Sequence, residues 1–566
     1  MTATVDGTAA VGGVQSLWRR QIDHYPETRN RVWYLAIVVA ATIVLYYELY
    51  IGGAVAPSII AGDGMTFPFY VYITVAGNAA GAFGSLAAGL SDRWGRANLV
   101  AYGLVITGLL ILIGIPNISG KWSFAILYGI VGLVEGVILV ATPALVRDFS
   151  PQLGRASAMG FWTLGPVIGS LVVAVVSSNT VNHLHAWQDQ FIICGIIGLV
   201  VGVVALIGLK ELSPQLRDQL MVSIKDRALV EARARGLDIE ESLRRPWRQM
   251  LKLDIIGSAF AISVFLILYY TAVGFFTVYF TTLHGFSLSK ANSIGDWFWG
   301  FDAGALILVG VISDRLRVRK PFMVIGAIGA IVMTIVFLNL GASTSYSTFV
   351  VVISINAVFL AIAYAPWMAS FTETVEARNP ALIATGLAVW GWIIRATIAI
   401  SVAILPLVVG SMTPLVTYGP QAQAIQAQYP QQVQTLGVVK PQVLAILQKD
   451  PSGSPAYNTA VGQAVTEISG AFKISSGDAV NRLLAVTKVP KADQTFLAEH
   501  GESVVTASAA APGQWKNWWW VCVGGEVVFI PFILLMVGRW RPRKAREDAE
   551  AHALAVQREL SELDQV

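Results

Sequence analysis

Long apolar runs alternate with short polar connections along almost the whole chain. Twelve such runs are read at roughly 33–57, 70–90, 98–116, 122–146, 157–177, 190–209, 254–282, 291–312, 321–341, 348–371, 382–411 and 517–538. A helix needs about 20 mostly apolar residues to cross a bilayer. Inside the bilayer each backbone N–H and C=O must be satisfied by the protein, which leaves helices or closed β-barrels. Barrel strands alternate apolar and polar positions over about ten residues, and these runs do not alternate. The pattern predicts an all-α membrane protein with twelve transmembrane helices.

Lysine and arginine in the connections set the orientation. One set of loops carries Arg93 and Arg96; Arg147 and Arg155; Arg315, Arg317, Arg319 and Lys320; and Arg378. The stretch 210–252 adds ten more, and the tail has Arg539, Arg541, Arg543, Lys544 and Arg546. The alternate loops 58–69, 178–189 and 342–347 have none, while 117–121 and 283–290 have only Lys121 and Lys290. Both termini are expected in the cytoplasm and the protein in the plasma membrane.

The organisation that follows is an N-terminal bundle at 1–209, a cytoplasmic linker at 210–253 and five further spans at 254–411. An extracytoplasmic insertion at 412–516, a twelfth helix at 517–540 and a cytoplasmic tail at 541–566 complete it. The linker is charged and helix-prone, and reads as a solvated helix or as a regulatory element. The insertion is Gln-rich at its start and then helical in pattern, with breaks expected at 451–455 and 510–513.

Composition narrows the class further. Of 566 residues 55% are hydrophobic and only 13% charged, where soluble proteins carry about 25% charged residues. A soluble fold of this size and a disordered chain are both excluded. The net charge of +4 gives no footprint for nucleic acid. Cys194 and Cys522 are far apart in apolar runs, so there is no disulfide framework and no metal-ligand spacing. The polar first thirty or so residues, with Arg19, Arg20, Arg29 and Arg31, lack the apolar core of a signal peptide.

The chain also resembles itself. Ser91-Asp92-Arg93 recurs as Ser313-Asp314-Arg315, 222 residues on. Leu45-Tyr46-Tyr47 recurs as Leu268-Tyr269-Tyr270, and Pro143 as Pro366, both at an offset of 223. Three matches in corresponding spans imply a six-plus-six duplication, and hence two pseudo-symmetric six-helix bundles around a central cavity.

With this organisation the sequence resembles the major facilitator superfamily of secondary transporters over all twelve spans. The superfamily's Gly-x-x-x-Asp-Arg-x-Gly-Arg loop matches Asp92, Arg93, Gly95 and Arg96, with Ala88 at the leading position and Gly89 beside it. In the second half Gly310, Asp314 and Arg315 match, and Arg317 stands where glycine is usual. The resemblance implies gating: glycine permits close helix approach, and the carboxylate meets a helix terminus or an arginine in one conformation only.

Five charges fall near the middle of spans: Glu48, Glu135, Asp302, Arg395 and Glu526. Each costs about 2.5–3.5 kcal/mol at the bilayer centre, so each is a functional candidate. The spacing from Glu48 to Pro57, through Val55-Ala56-Pro57, is similar to a first-span pattern of proton-coupled members of the superfamily. Arg395 can pair with an acid or hold an anionic group. Asp296 and Asp302, six residues apart, lie on different helix faces. Glu135 is flanked by Gly132 and Gly136, a small-residue interface that could simply bury it. The arginine often found in this span is Tyr128 here. Gly160 and Gly165-Pro166-Val167-Ile168-Gly169 partly resemble an antiporter motif, and equally read as ordinary packing. Tyr47 and Tyr270, with Tyr46, Tyr269, Trp297, Trp299, Trp390 and Trp392, are expected around the cavity, and Trp515, Trp518, Trp519 and Trp520 at the interface.

No Walker loop, nucleophile constellation or histidine spacing points to an ATP-driven pump or an enzyme. The expectation is a proton-coupled transporter of a small solute, with the bilayer and protons as partners and neither cofactor nor metal. Glu48 is the proton-linked acid, with Asp302 and Arg395 as cavity partners. The alternatives are an uncoupled facilitator, or a transporter-fold sensor or scaffold that uses 412–516 to bind a partner.

Overall fold

The computed structural model describes residues 18, 20–86, 94–150, 162–217, 219, 246–379, 382–486 and 488–563. It divides into two compact units, one of residues 1–408 with 516–566 and one of residues 409–515.

The larger unit is built from apolar helices in the order the runs predict. They are α1 (Thr28–Ala54), α2 (Phe67–Leu86), α3 (Arg96–Asn117), α4 (Lys121–Phe149), α5 (Gly165–Thr180) and α6 (Trp187–Gly208). The second series is α7 (Leu253–His284), α8 (Leu288–Leu316), α9 (Lys320–Leu338), α10 (Tyr346–Arg378), α11 (Ile383–Val408) and, from residue 516 onward, α12 (Lys491–Leu535). Among the described residues ten helices are long and apolar enough to cross a membrane, or eleven with a short helix, Ala56–Gly62, counted together with α2 across a 117° bend. The other, α5, has 16 residues. Both α2 and α5 lie next to stretches outside the described residues, as does most of the 210–252 linker.

Glycine sets how closely two of these helices approach. A Cβ at Gly136 of α4 would run into the Gly81 backbone of α2, and one at Gly132 into the Gly77 carbonyl. Removing the side chains there lets backbones touch, as small residues do in membrane interfaces. Prolines 143, 366 and 406 sit inside α4, α10 and α11. α7 is interrupted at Leu266, where the backbone leaves helical geometry.

The two series meet at the face remote from the chain termini. Thr277 of α7 donates to the Gly53 carbonyl at 2.6 Å, and Asn292 of α8 to the Ala54 carbonyl at 3.0 Å. Ser178 of α5 donates to Asp296 of α8 at 2.9 Å, and Ser289 to the Ser178 carbonyl at 2.6 Å.

At the opposite face of the first bundle a two-residue strand, β1 (Gln21–Ile22), pairs in parallel with β2 (Glu211–Leu212). This pairing ties the segment before α1 to the segment after α6. The β2 residue Glu211 is buried and accepts from the Arg96 and Ala97 amides at 2.6 and 3.3 Å. It therefore caps the N-terminus of α3, whose own N-cap, Gly95, has no side chain to do so.

The smaller unit is a helical bundle with its own core of Val439, Val443, Ala460, Ala464, Ile468 and Ala479. Four of its helices carry proline in their first turn, where the missing N–H leaves no bond unmade. The break expected at 451–455 is a loop between the helices Pro441–Lys449 and Pro455–Phe472. The break expected at 510–513 is absent, because α12 runs unbroken from Lys491 to Leu535. Pro512 removes one hydrogen bond, and the strong helix formers Ala507 and Ala509 to Ala511 precede it. A last helix, α13 (Pro542–Leu563), carries the tail.

Candidate functional site

A cavity of about 90 Å³ opens between α1, α2, α4, α7 and α11. Its wall includes Glu48, Glu135, Tyr50, Tyr70, Tyr128 and Tyr270. Glu48 is 1% exposed and anchored from behind: its Oε2 accepts from the Thr107 hydroxyl of α3 at 3.0 Å. Its Oε1 packs against Gly198 of α6, where any Cβ would collide with it. Glu135 is 3% exposed, and neither of its oxygens has a hydrogen-bond partner among the described residues. The glycines beside it face α2, while Glu135 lines the cavity.

Tyrosines connect this acidic pair to the second bundle. Tyr46 and Tyr50, one helical turn apart on α1, have ring centroids 5.5 Å apart. Both lie near Tyr270, and Tyr46 also near Arg395 and Tyr364. Tyr269 packs edge-on to Tyr270 at 5.3 Å and to Trp299 at 4.9 Å. Asp302 is 4% exposed and lies near Tyr269 and Tyr364. Glu48, Glu135, Asp302 and Arg395 thus border one tyrosine cluster where the bundles meet. A smaller cavity of about 40 Å³ lies toward the remote face, walled by Tyr50, Asn292 and Trp299 among others.

Two expected cavity residues are elsewhere. Tyr47 is fully buried inside the first bundle beside Cys194; the α1 tyrosines at the bundle junction are Tyr46 and Tyr50. The reason is helix rotation, since residues adjacent in sequence point about 100° apart. Glu526 is buried in the second bundle, where Thr334 of α9 donates to it at 2.8 Å and Asn356 of α10 donates to Thr334 at 3.0 Å. It mirrors the Glu48–Thr107 pair: each bundle buries one carboxylate on a threonine of its third helix. Trp518 and Trp519 are buried in the second bundle rather than at an interface, and Trp518 donates to Thr271 at 3.0 Å. Trp297 and Trp392 are exposed.

Of the gating motif, Gly89, Asp92 and Arg93 lie outside the described residues. Gly95 has φ 88°, in the left-handed region that favours glycine, and starts α3. Arg96 forms an ion pair with Asp148 at the end of α4, 2.7 Å, with both side chains largely buried. In the second half Asp314 pairs with Arg319, 2.7 Å away. Arg319 also bonds Glu373 at the end of α10, at 3.0 Å. Arg319–Glu373 is therefore the counterpart of Arg96–Asp148. The loop is one residue longer here, with Arg317 capping α8 at φ 54°, so Arg319 follows Arg96 at the offset of 223 and not at the 222 of the Ser-Asp-Arg match. Gly310 has open space around it.

Residues 37–403 match the family model of the Major Facilitator Superfamily. The chain belongs to that superfamily. Among curated relatives it is 24% identical over 257 residues to "Probable anion transporter 3, chloroplastic" of Oryza sativa subsp. japonica, covering 42% of this chain and 48% of that one. It is 24% identical over 264 residues to sialin of Ovis aries, covering 42% and 50%. The chain thus spans about half the length of these relatives. Among solved structures, a bacterial homologue of the human lysosomal transporter Spinster, inward-facing and unoccupied, superposes with a TM-score of 0.52 at 15% identity, over 86% of this chain and 99% of that one. A D-xylose–proton symporter does so at 0.50 and 14% identity, over 66% and 96%. These superpositions establish the transporter fold of this superfamily member.

Proposed function

We propose that this superfamily member is a proton-coupled secondary transporter that carries a small solute across the plasma membrane by alternating access. In this reading the chain crosses the bilayer twelve times with both termini in the cytoplasm, and 409–515 is an extracytoplasmic accessory. The observation that carries it is the setting of Glu48: a carboxyl buried on the cavity wall between two bundles and held by one hydroxyl. Such a group can take up a proton from one side and release it to the other as the bundles rock.

Thr107 suits both protonation states. Its hydroxyl lies 3.0 Å from Glu48 and 3.1 Å from the Gly103 carbonyl. Toward a carboxylate it donates; toward a protonated carboxyl it accepts and turns its own hydrogen to Gly103. The bonds between Thr277 and Gly53, Asn292 and Ala54, and Ser178 and Asp296 then form the outer seal, and opening outward must break them. Arg96–Asp148 and Arg319–Glu373 brace the cytoplasmic ends of the two bundles.

One named relative is described as a probable anion transporter, whereas the cavity wall here contains two acids and, among the described residues, no lysine or arginine. That substrate class is therefore not carried over. The test uses proteoliposomes loaded with a pH-sensitive dye and a panel of sugars, organic acids and amines. A solute that moves protons in the wild type should fail to do so in Glu48→Gln, while solute exchange persists. Unaltered proton movement in Glu48→Gln rules out this assignment.

A further inference from the structure

The cavity between α1, α2, α4, α7 and α11 has one-sided chemistry. Two carboxyl side chains line it, and its other polar wall is largely tyrosine: Tyr50, Tyr70, Tyr128 and Tyr270. Three carboxyl oxygens at this wall, both of Glu135 and Oε1 of Glu48, have no donor among the described residues. The two side chains line the wall of one cavity. The close approach of α4 to the α2 backbone at Gly77 and Gly81 is made by Gly132 and Gly136, not by Glu135. Buried carboxylates without donors are costly, so each is either protonated or completed by a positive species, and a cation entering the cavity can take the place of the proton.

A hard metal ion fits poorly. It takes six or more oxygen ligands, and no cluster of three or more His, Cys, Asp or Glu that could hold a metal occurs among the described residues. Tyrosine rings on the same wall as a carboxylate instead suit an ammonium centre, which is attracted both to ring faces and to the acid. We propose that this cavity binds an organic cation, the amine or quaternary ammonium centre of a small solute, with Glu135 as its charge partner. The proposal names the substrate class of the transport site above and rests on that reading of the site, but not on its proton coupling.

Calorimetric titration of the full-length protein in detergent tests it with choline, tetraethylammonium and benzyltrimethylammonium. The neutral choline isostere 3,3-dimethylbutanol, lactate and sodium are the comparisons. At least one ammonium ion should bind roughly tenfold or more tightly than the neutral isostere, and Glu135→Gln should lose about that factor while Glu135→Asp keeps most of it. Binding of lactate, sodium or the isostere as tight as that of every ammonium ion overturns the proposal, as does no ammonium binding, or equal affinity in Glu135→Gln. If Glu135→Gln does not fold, the charge preference of the wild type still decides. Absent ammonium binding with intact solute-driven proton movement removes this proposal alone; ammonium binding with proton movement insensitive to Glu48→Gln removes only the proton coupling.

Discussion

Gly198→Ala isolates the position of the Glu48 carboxylate. The new Cβ meets Glu48 Oε1, the end of a flexible side chain, with its carboxyl carbon at 3.2 Å and the Gly108 backbone at 3.5 Å. The carboxylate must swing away while α3 and α6 stay where they are. The structural loss is the Thr107 hydrogen bond, worth about 0.5–1.5 kcal/mol, or about 1.5–3 kcal/mol if the acid is ionised. Alanine returns up to about 1 kcal/mol of helix propensity. Stability should therefore fall by no more than about 2 kcal/mol, while solute-driven proton movement should collapse because the acid has left its site.

Gly136→Ala is the comparison. There the new Cβ meets the Gly81 backbone, which cannot swing, so α2 and α4 must separate. Overpacking of that kind costs about 1–3 kcal/mol before any lost contacts between the helices are counted. The assay is thermal unfolding in detergent alongside dye-reported proton movement in proteoliposomes. Gly198→Ala should unfold close to the wild type but be uncoupled. Adding Glu48→Asp, one methylene shorter, should make room for the Cβ and recover part of the proton movement. A Gly198→Ala protein with wild-type coupling would refute the placement of the carboxylate between Thr107 and Gly198.

The ion pairs at the helix ends should differ in worth. Arg96→Ala takes from Asp148, 6% exposed, its bonded partner and leaves it only the nearby charges of Arg147 and Arg217, a loss of about 1–3 kcal/mol; Arg319→Ala unpairs the more exposed Glu373 and Asp314 and should cost about 1 kcal/mol or less. Melting curves of the two variants check the order, and Arg315→Ala should be near neutral in the same measurement. Glu211→Ala removes the cap of α3 and should lower stability by about 1–2 kcal/mol, read as a lower melting temperature. Replacing 412–490 by a short flexible linker should leave transport in proteoliposomes intact, whereas abolished transport would assign the smaller unit a working part.

Much of the architecture was legible because membrane insertion writes itself in composition. The twelve runs, the paired motifs and the candidate acids followed from apolar length, repeat offset and the cost of intramembrane charge. Side-chain direction was not legible. α1 is apolar around most of its circumference, so nothing in its sequence shows that Tyr46 and Tyr50 face the cluster while Tyr47 turns to Cys194. Glu135 was discounted for its flanking glycines, which in the fold point to another helix. Arg319 stands 223 residues after Arg96, one residue beyond where the Ser-Asp-Arg match at 222 points.

The sequence by itself determined the class of protein, its helical elements and the few residues whose burial needs a reason. Those are local quantities, fixed by hydropathy and backbone hydrogen bonding along one segment. Only the tertiary structure decided which of those residues share a cavity. It joins Glu48 to Glu135 across α1 and α4, links them through tyrosines to Asp302 and Arg395, and withdraws Glu526 into the second bundle. That outcome depends on the rotation of each helix about its axis and on where glycine lets two backbones touch, which are properties of pairs of helices.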